Sequence, residues 1–207
     1  MPRIVDHDAR RRRVAEEAAE LIAERGIDAV TFRELGERAG CSTAIVSHYF
    51  RDKRDVLCCT YAAAADRARQ RFSGALAPGG EGLQRGVEAL LPLQPDSVRD
   101  WRVWFAFWRH AITDPELAAE QRAHVRRTRV ELARVVRELI DAGDVAADLD
   151  ADEEARRLLV VIMGIAAQAA FDQADWPAER QQEFVRGHLD GLASCGRPSR
   201  ASGSAAR

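Results

Sequence analysis

The chain has 207 residues, of which 46% are hydrophobic and 31% charged, with a formal net charge of −2. That length can bury a real core in one large domain or two small ones, and the near-neutral total does not announce a nucleic-acid binder. No apolar run approaches the eighteen residues of a membrane span, and the charged start MPRIVDHDARRRR lacks the apolar stretch of a secretory signal, so a cytoplasmic protein is expected.

Strand patterns are nearly absent, while helical periodicity with helix caps recurs throughout, which predicts an all-α fold. Val14, Ala18, Leu21 and Ile22 form the apolar face of a first helix, stopped by Gly26. Thr31-Phe-Arg-Glu34 is a capping box that opens a second helix, to about Ala39. Gly40 supplies a turn, and Thr43 to Phe50 make a third helix. Asp52, with Asp55 at its third position, caps a fourth, which runs to about Phe72. SGALAPGGEG (73–82) has the Gly and Pro content of a linker or loose loop.

Beyond it the helices lengthen. Leu83 to Leu91 is a short candidate. Ser97 with Asp100 caps a helix carrying Trp101, Trp104, Phe105, Phe107 and Trp108. Asp114-Pro115 starts another, to about Ala142, because Asp caps and Pro suits the first helical position. Asp150 with Glu153 caps a helix to about Gln173, and Pro177 opens a last one to about Ala193. The tail GRPSRASGSAAR is small and polar and is expected to be disordered. The expected organisation is a compact helical unit over 8–68, a larger helical bundle over 83–194 and a tail over 195–207.

Charge placement says more than the total. Residues 1–75 carry 14 Lys and Arg against 12 Asp and Glu, and Lys53 is the only lysine. Residues 31–50 fit a helix-turn-helix. Leu35, Ala39 and Cys41 pack under the turn, and Val46 and Phe50 anchor the third helix to the same core. Gly36 is small where the helices approach, and Gly40 suits a left-handed turn. Thr43, Ala44, Ser47 and His48 remain on the outer face, small or polar side chains suited to base edges. Tyr49 and Lys53 flank it, within reach of phosphate. A run such as RDKR also opens many solvated helices, and short helix pairs occur in proteins that never touch DNA.

GCSTAIVSHYFRDKRDVL and the preceding AELIAERGIDAVTFRELGERAG resemble the DNA-binding signature of the TetR family of bacterial repressors. STAIVSHYFRDK is most similar to the choline-responsive, BetI-type members. The likeness is strong over 8–68 and looser beyond, through WFAFWRHAITDPEL and the last two helices. It implies a ligand-responsive, sequence-specific DNA-binding regulator, a repressor in the family's commonest mode, made of an N-terminal helix-turn-helix domain and a C-terminal ligand-binding and dimerisation domain. It assigns phosphate contacts to Thr31, Ser42, Ser47, His48, Tyr49 and Lys53, and base contacts to Thr43 and Ala44. Ser47 departs from the bulkier aromatic common there. The Arg10–Arg13 run adds phosphate contacts or simply solubilises the first helix.

One such helix reads only a few base pairs, so a two-fold homodimer on a palindromic operator is expected. LLVVIMGIAAQAAF is apolar nearly all round and must be covered on more than one side. Leu158, Ile162, Ile165 and Ala169, with Phe184, Val185, Leu189 and Leu192 of the last helix, are the expected dimer interface. The alternative is that both helices close an intrachain core. Trp101, Trp104 and Trp108 share one helix face, as either core or ligand wall. With Phe105, Met163, Phe171 and Trp176 they would make an aromatic cavity, to which Gln168 and Asp172 add polar contacts. Such a wall suits a quaternary ammonium inducer or a flat aromatic one.

No cofactor, metal or catalytic set is expected. His110, Asp114 and His124 lie close in sequence without the company an α-helical enzyme would need. A protein-binding helical adaptor is the other alternative. Cys41, Cys58, Cys59 and Cys195 show no metal or disulfide spacing and are expected to be free thiols, with Cys41 a small hydrophobe under the turn.

Overall fold

A computed structural model describes residues 7–195, so the expectation for the tail over 196–207 lies outside the described residues. Nine α-helices and no strand occur among them: α1 His7–Arg25, α2 Phe32–Ala39, α3 Thr43–Tyr49, α4 Lys53–Ala75, α5 Gly80–Glu88, α6 Pro95–Ala111, α7 Pro115–Ala142, α8 Ala151–Phe171 and α9 Ala178–Cys195. A single 3₁₀ turn, Ile27–Ala29, joins α1 to α2. None of the described helices is long and apolar enough to cross a membrane.

Local chemistry starts most of these helices. Glu34 N–H donates to Thr31 Oγ1 at 3.2 Å, and Asp55 N–H to Asp52 Oδ1 at 2.8 Å. Asp114 accepts from the N–H groups of Glu116 and Leu117, and Asp150 from those of Asp152 and Glu153. Each side-chain oxygen satisfies donors that the first helical turn leaves orphaned.

Two expectations are corrected. Segment 73–82 is largely helical, since α4 runs through Ala75 and α5 begins at Gly80. The reason is close packing: a Cβ on Gly82 would lie 1.6 Å from Ala77 O, and one on Gly86 2.8 Å from Leu76 Cδ2. α6 begins earlier than expected, with Pro95 in its first turn and Gln94 as the capping residue. Ser97 exchanges hydrogen bonds with the Gln94 backbone, while Asp100 caps nothing. It is fully buried and receives Arg67 at 2.5 Å and Arg71 at 2.9 Å, both from α4.

The core is continuous. It runs from Val14, Leu21 and Leu35 through Phe50, Val56 and Ala64 of α4 to Val103 and Phe107 of α6, and on to Leu132, Leu158 and Val185. α4 is its axis, one face against α1 and another against α5, α6 and α7. The helix that leaves the helix-turn-helix therefore also walls the C-terminal bundle.

Candidate DNA interface and ligand cavity

The turn between α2 and α3 is built by two glycines. Gly40 adopts φ 65°, ψ 39°, the left-handed conformation that an L side chain resists, and Cys41 N–H returns to Gly36 O at 2.8 Å. A Cβ on Gly36 would meet Cys41 O at 2.7 Å, so only glycine admits this approach of the two helices. Beneath the turn Leu35, Val46 and Phe50 are buried, and Cys41 is half-buried against them.

This anchoring leaves Thr43, Ala44, Ser47 and His48 exposed on one side of α3. Ser42 is exposed and caps α3, accepting from Ile45 N–H at 3.4 Å; Thr31 is exposed and caps α2. Tyr49 is half-buried and packs edge-on to His48, ring centroids 5.4 Å apart. Lys53 is exposed, and its Nζ donates to Asp28 O at 2.8 Å, which occupies one of three N–H groups and leaves two for an outside anion. Neighbouring carboxylates are covered: Glu34 by Arg25, Glu24 by Arg38 at 2.7 Å and Glu37 by Arg33 at 3.0 Å. At the head of α1, the Arg11 guanidinium lies 5.9 Å over the Phe50 ring, beside the end of α3.

The tryptophan face of α6 is both core and wall. Trp101 and Trp104 are buried, their rings 4.6 Å apart and edge-on, and Trp101 N–H donates to Leu90 O at 2.8 Å. Both line a cavity of about 340 Å³ between α4, α6, α7 and α8, together with Phe72, Leu90, Leu159, Ile162 and Met163. That volume lies in the range of small-molecule sites. Its polar wall comes from α7, as His124, Arg126, Arg127 and Glu131, and from α4, as Asp66 and Arg69. Burial, and then the nearby Arg127 charge, push the His124 imidazole down to about 4, so it is neutral at physiological pH.

The residues expected to form one pocket are divided by the structure. Trp101, Trp104 and Met163 line this cavity. Phe105 and Trp176 line a separate cleft of about 410 Å³, which also has Trp101 in its wall. Trp108 is half-buried and lines neither. Gln168, Phe171 and Asp172 are exposed and also line neither, so their assignment to a pocket is corrected. They sit on the outer side of α8 and at its end.

Five of the expected dimer residues are corrected in the same way. Leu158, Ile162, Ile165 and Ala169 are 0–3% exposed, facing the chain's own core, and Ile162 lines the cavity. Val185 is buried too, whereas Leu189 and Leu192 are half-buried and Phe184 is 53% exposed. The outer stripe of α8 instead shows Val160, 71% exposed, then Gly164 and Phe171, 91% exposed. Sequence patterning also missed the wall that α7 contributes. Its one signal was His124 and Arg127 a single turn apart, among residues that otherwise read as solvated.

Comparison with known proteins agrees with this architecture. Residues 15–57 match the family of bacterial regulatory proteins named for TetR, and residues 79–194 match the C-terminal domain of BetI-type transcriptional repressors. The chain is 32% identical to the transcriptional regulator BetI of Escherichia coli over 133 residues, 61% of this chain and 68% of that protein. It is 24% identical to the transcriptional regulator PksA of Bacillus subtilis, across 93% of this chain and 94% of that one. A putative transcriptional regulator from Saccharomonospora viridis, solved in complex with choline, superposes with a TM-score of 0.80 at 25% identity, covering 88% of this chain and 96% of its own. Two glycines setting α3 outward, a core continuous through α4 and matches over both halves make the chain a member of the TetR family of DNA-binding transcriptional regulators, with a BetI-type C-terminal domain.

Proposed function

We propose that the chain is a repressor that binds a palindromic operator as a homodimer and leaves it when a small molecule fills the 340 Å³ cavity. One observation carries this reading: α4 is unbroken from Lys53, beside the helix-turn-helix, to Ala65, Ala68 and Phe72 in the cavity wall. A ligand that moves this wall moves the base of α3. Release follows only if the ligand prefers a conformer whose two α3 helices no longer match successive major grooves, roughly 34 Å apart.

In this reading α3 enters the major groove, with Thr43 and Ala44 at base edges. Thr31, Ser42, Ser47, His48, Tyr49 and Lys53 hold the flanking phosphates. The exposed stripe Val160–Gly164–Phe171 of α8, with Phe184 of α9, meets its copy in a second subunit. The glycines would let the helices come close, since a Cβ at Gly164 or Gly187 would have no neighbour within 4 Å in the single chain. The indole faces in the cavity accept a quaternary ammonium or a flat apolar body alike. The charges at its mouth discriminate between them.

Fluorescence anisotropy with the DNA flanking the chain's own gene, against scrambled competitor at near-physiological salt, tests the reading. Tight, competitor-resistant binding is expected, and Val160→Asp should yield monomers in sedimentation and lose it. Equal, weak binding to both DNAs, repeated after selection from random sequence, would remove the repressor assignment and favour a helical adaptor.

A further inference from the structure

We infer that the 340 Å³ cavity takes an amphipathic carboxylate, an apolar body with an anionic head, in preference to a quaternary ammonium; this rests on the assignment of that cavity as the sensor site. The cavity walls hold two carboxylates, and both are already engaged. Asp66 is paired with Arg69 at 2.9 Å, and Glu131 with Arg134 at 3.3 Å. Two guanidiniums on the same wall, Arg126 and Arg127, form no ion pair among the described residues. Glu120 and Arg127 both line a neighbouring cleft of about 160 Å³, but Glu120 does not line this cavity.

The neutral groups point the same way. His124 lies against Trp104, ring centroids 5.8 Å apart, and carries no charge near neutral pH to oppose or attract a ligand. Trp104 is 6% exposed, and its indole N–H is buried without an acceptor. A carboxylate supplies acceptors to the guanidiniums, which hold it by charge-assisted hydrogen bonds. Phe72, Leu159 and Met163 then cover the apolar body. A quaternary ammonium in the same place would face three guanidiniums, Arg69, Arg126 and Arg127, against two carboxylates, Asp66 and Glu131, a wall of net positive charge.

A matched series isolates the head group: decanoate, decanol and decyltrimethylammonium, titrated calorimetrically into the full-length protein near neutral pH. Decanoate is expected to bind on the order of tenfold tighter than decyltrimethylammonium, with decanol between them. Arg126→Gln with Arg127→Gln should erase that advantage and leave decanol within about twofold of its original affinity. Leu159→Trp, which fills the cavity, should abolish binding of all three, its folding verified by circular dichroism; Leu159→Phe is the milder variant. Equal or tighter binding of the cation, still lost in the Leu159 variants, overturns the carboxylate assignment and leaves the cavity as the sensor. No binding of any probe, or binding indifferent to the Leu159 variants, overturns the cavity assignment and the inference with it.

Discussion

Arg54, in the first turn of α4, grips Asp114, the residue that caps α7, with Nη1 at 2.8 Å and Nη2 at 3.0 Å from the two carboxylate oxygens. Nη2 also reaches Glu116 at 2.8 Å. Desolvation opposes ionisation of Asp114, but backbone N–H donors of Leu117 and Glu116, together with Arg54, outweigh it and hold the carboxyl below its ordinary range. The base of the DNA-binding half is thus tied to the start of the helix that walls the cavity. Two further ties run alongside, Arg99 to Glu20 at 2.6 Å and Arg109 to Asp28 at 3.0 Å.

Removing this tie should disturb signalling more than stability. Arg54 is partly exposed, and such solvent-screened pairs contribute little to stability. Arg54→Gln should therefore leave the melting temperature nearly unchanged and apo operator affinity within about threefold. The ligand-induced drop in affinity, typically about 5–150-fold for an allosteric coupling, should shrink. Operator titrations with and without ligand measure both quantities, and an unchanged drop would show that coupling runs through α1 and α6 instead.

Gly36 offers a test of the helix-turn-helix itself. Alanine there would place its Cβ 2.7 Å from a backbone oxygen, which cannot rotate away as a flexible side chain would. Overpacking of this kind costs about 1–3 kcal/mol. Gly36→Ala should lower the urea midpoint and weaken operator binding by more than the fraction unfolded accounts for, because the angle between α2 and α3 changes. Gly40→Ala, strained by its φ of 65°, should cost about 1 kcal/mol with a smaller effect on DNA.

These glycines were legible because their signal is local. So were the caps Thr31, Asp52, Asp114 and Asp150, each of which acts on N–H groups two or three residues away. Asp100 misled for the opposite reason: its partners Arg67 and Arg71 are 33 and 29 residues distant, so spacing alone made it look like part of a cap. α8 is apolar on nearly every side, which conceals which stripe faces inward. Leu158 and Val160 differ by 71 percentage points in exposure although both are aliphatic neighbours in the pattern. The cavity wall on α7 escaped notice because Arg126 and Arg127 are solvent-exposed, as the pattern reads, and line a cavity only through the placement of α4 and α6 opposite them.

His124 gives a pH signature. Its pKa of about 4 in the folded chain lies below the ordinary 6.5, so between those values the unfolded chain binds a proton that the folded chain refuses. Stability contributed by the neutral imidazole is present above about pH 6.5 and declines as pH falls toward 4. By pH 5 the loss should reach about 2 kcal/mol. Urea unfolding of the chain and of His124→Gln, compared at pH 7 and pH 5, isolates it, since the other titrating groups affect both equally. Parallel losses in the two proteins would show that His124 titrates normally.

The proposed phosphate contact of Lys53 and base contact of Thr43 can be told apart. Lys53 spends one N–H on Asp28 O and keeps two, a suitable partner for phosphate, whereas Thr43 is exposed in the first turn of α3, where a recognition helix meets bases. Lys53→Ala should weaken binding to every DNA and reduce the slope of log affinity against log salt by about 1. Thr43→Ala should leave that slope alone and shift preference among operator variants, by about 1–3 kcal/mol at one base pair. Lys53 also anchors α4 to the α1–α2 connection, so its loss has a second consequence that phosphate contact alone would not produce. If the tether matters, Lys53→Ala weakens thermal stability without DNA; if the ammonium acts only on phosphate, the apo melting temperature stays put and the salt slope alone moves. An unchanged slope with a lowered melting temperature would make Lys53 a structural strut and remove it from the DNA interface.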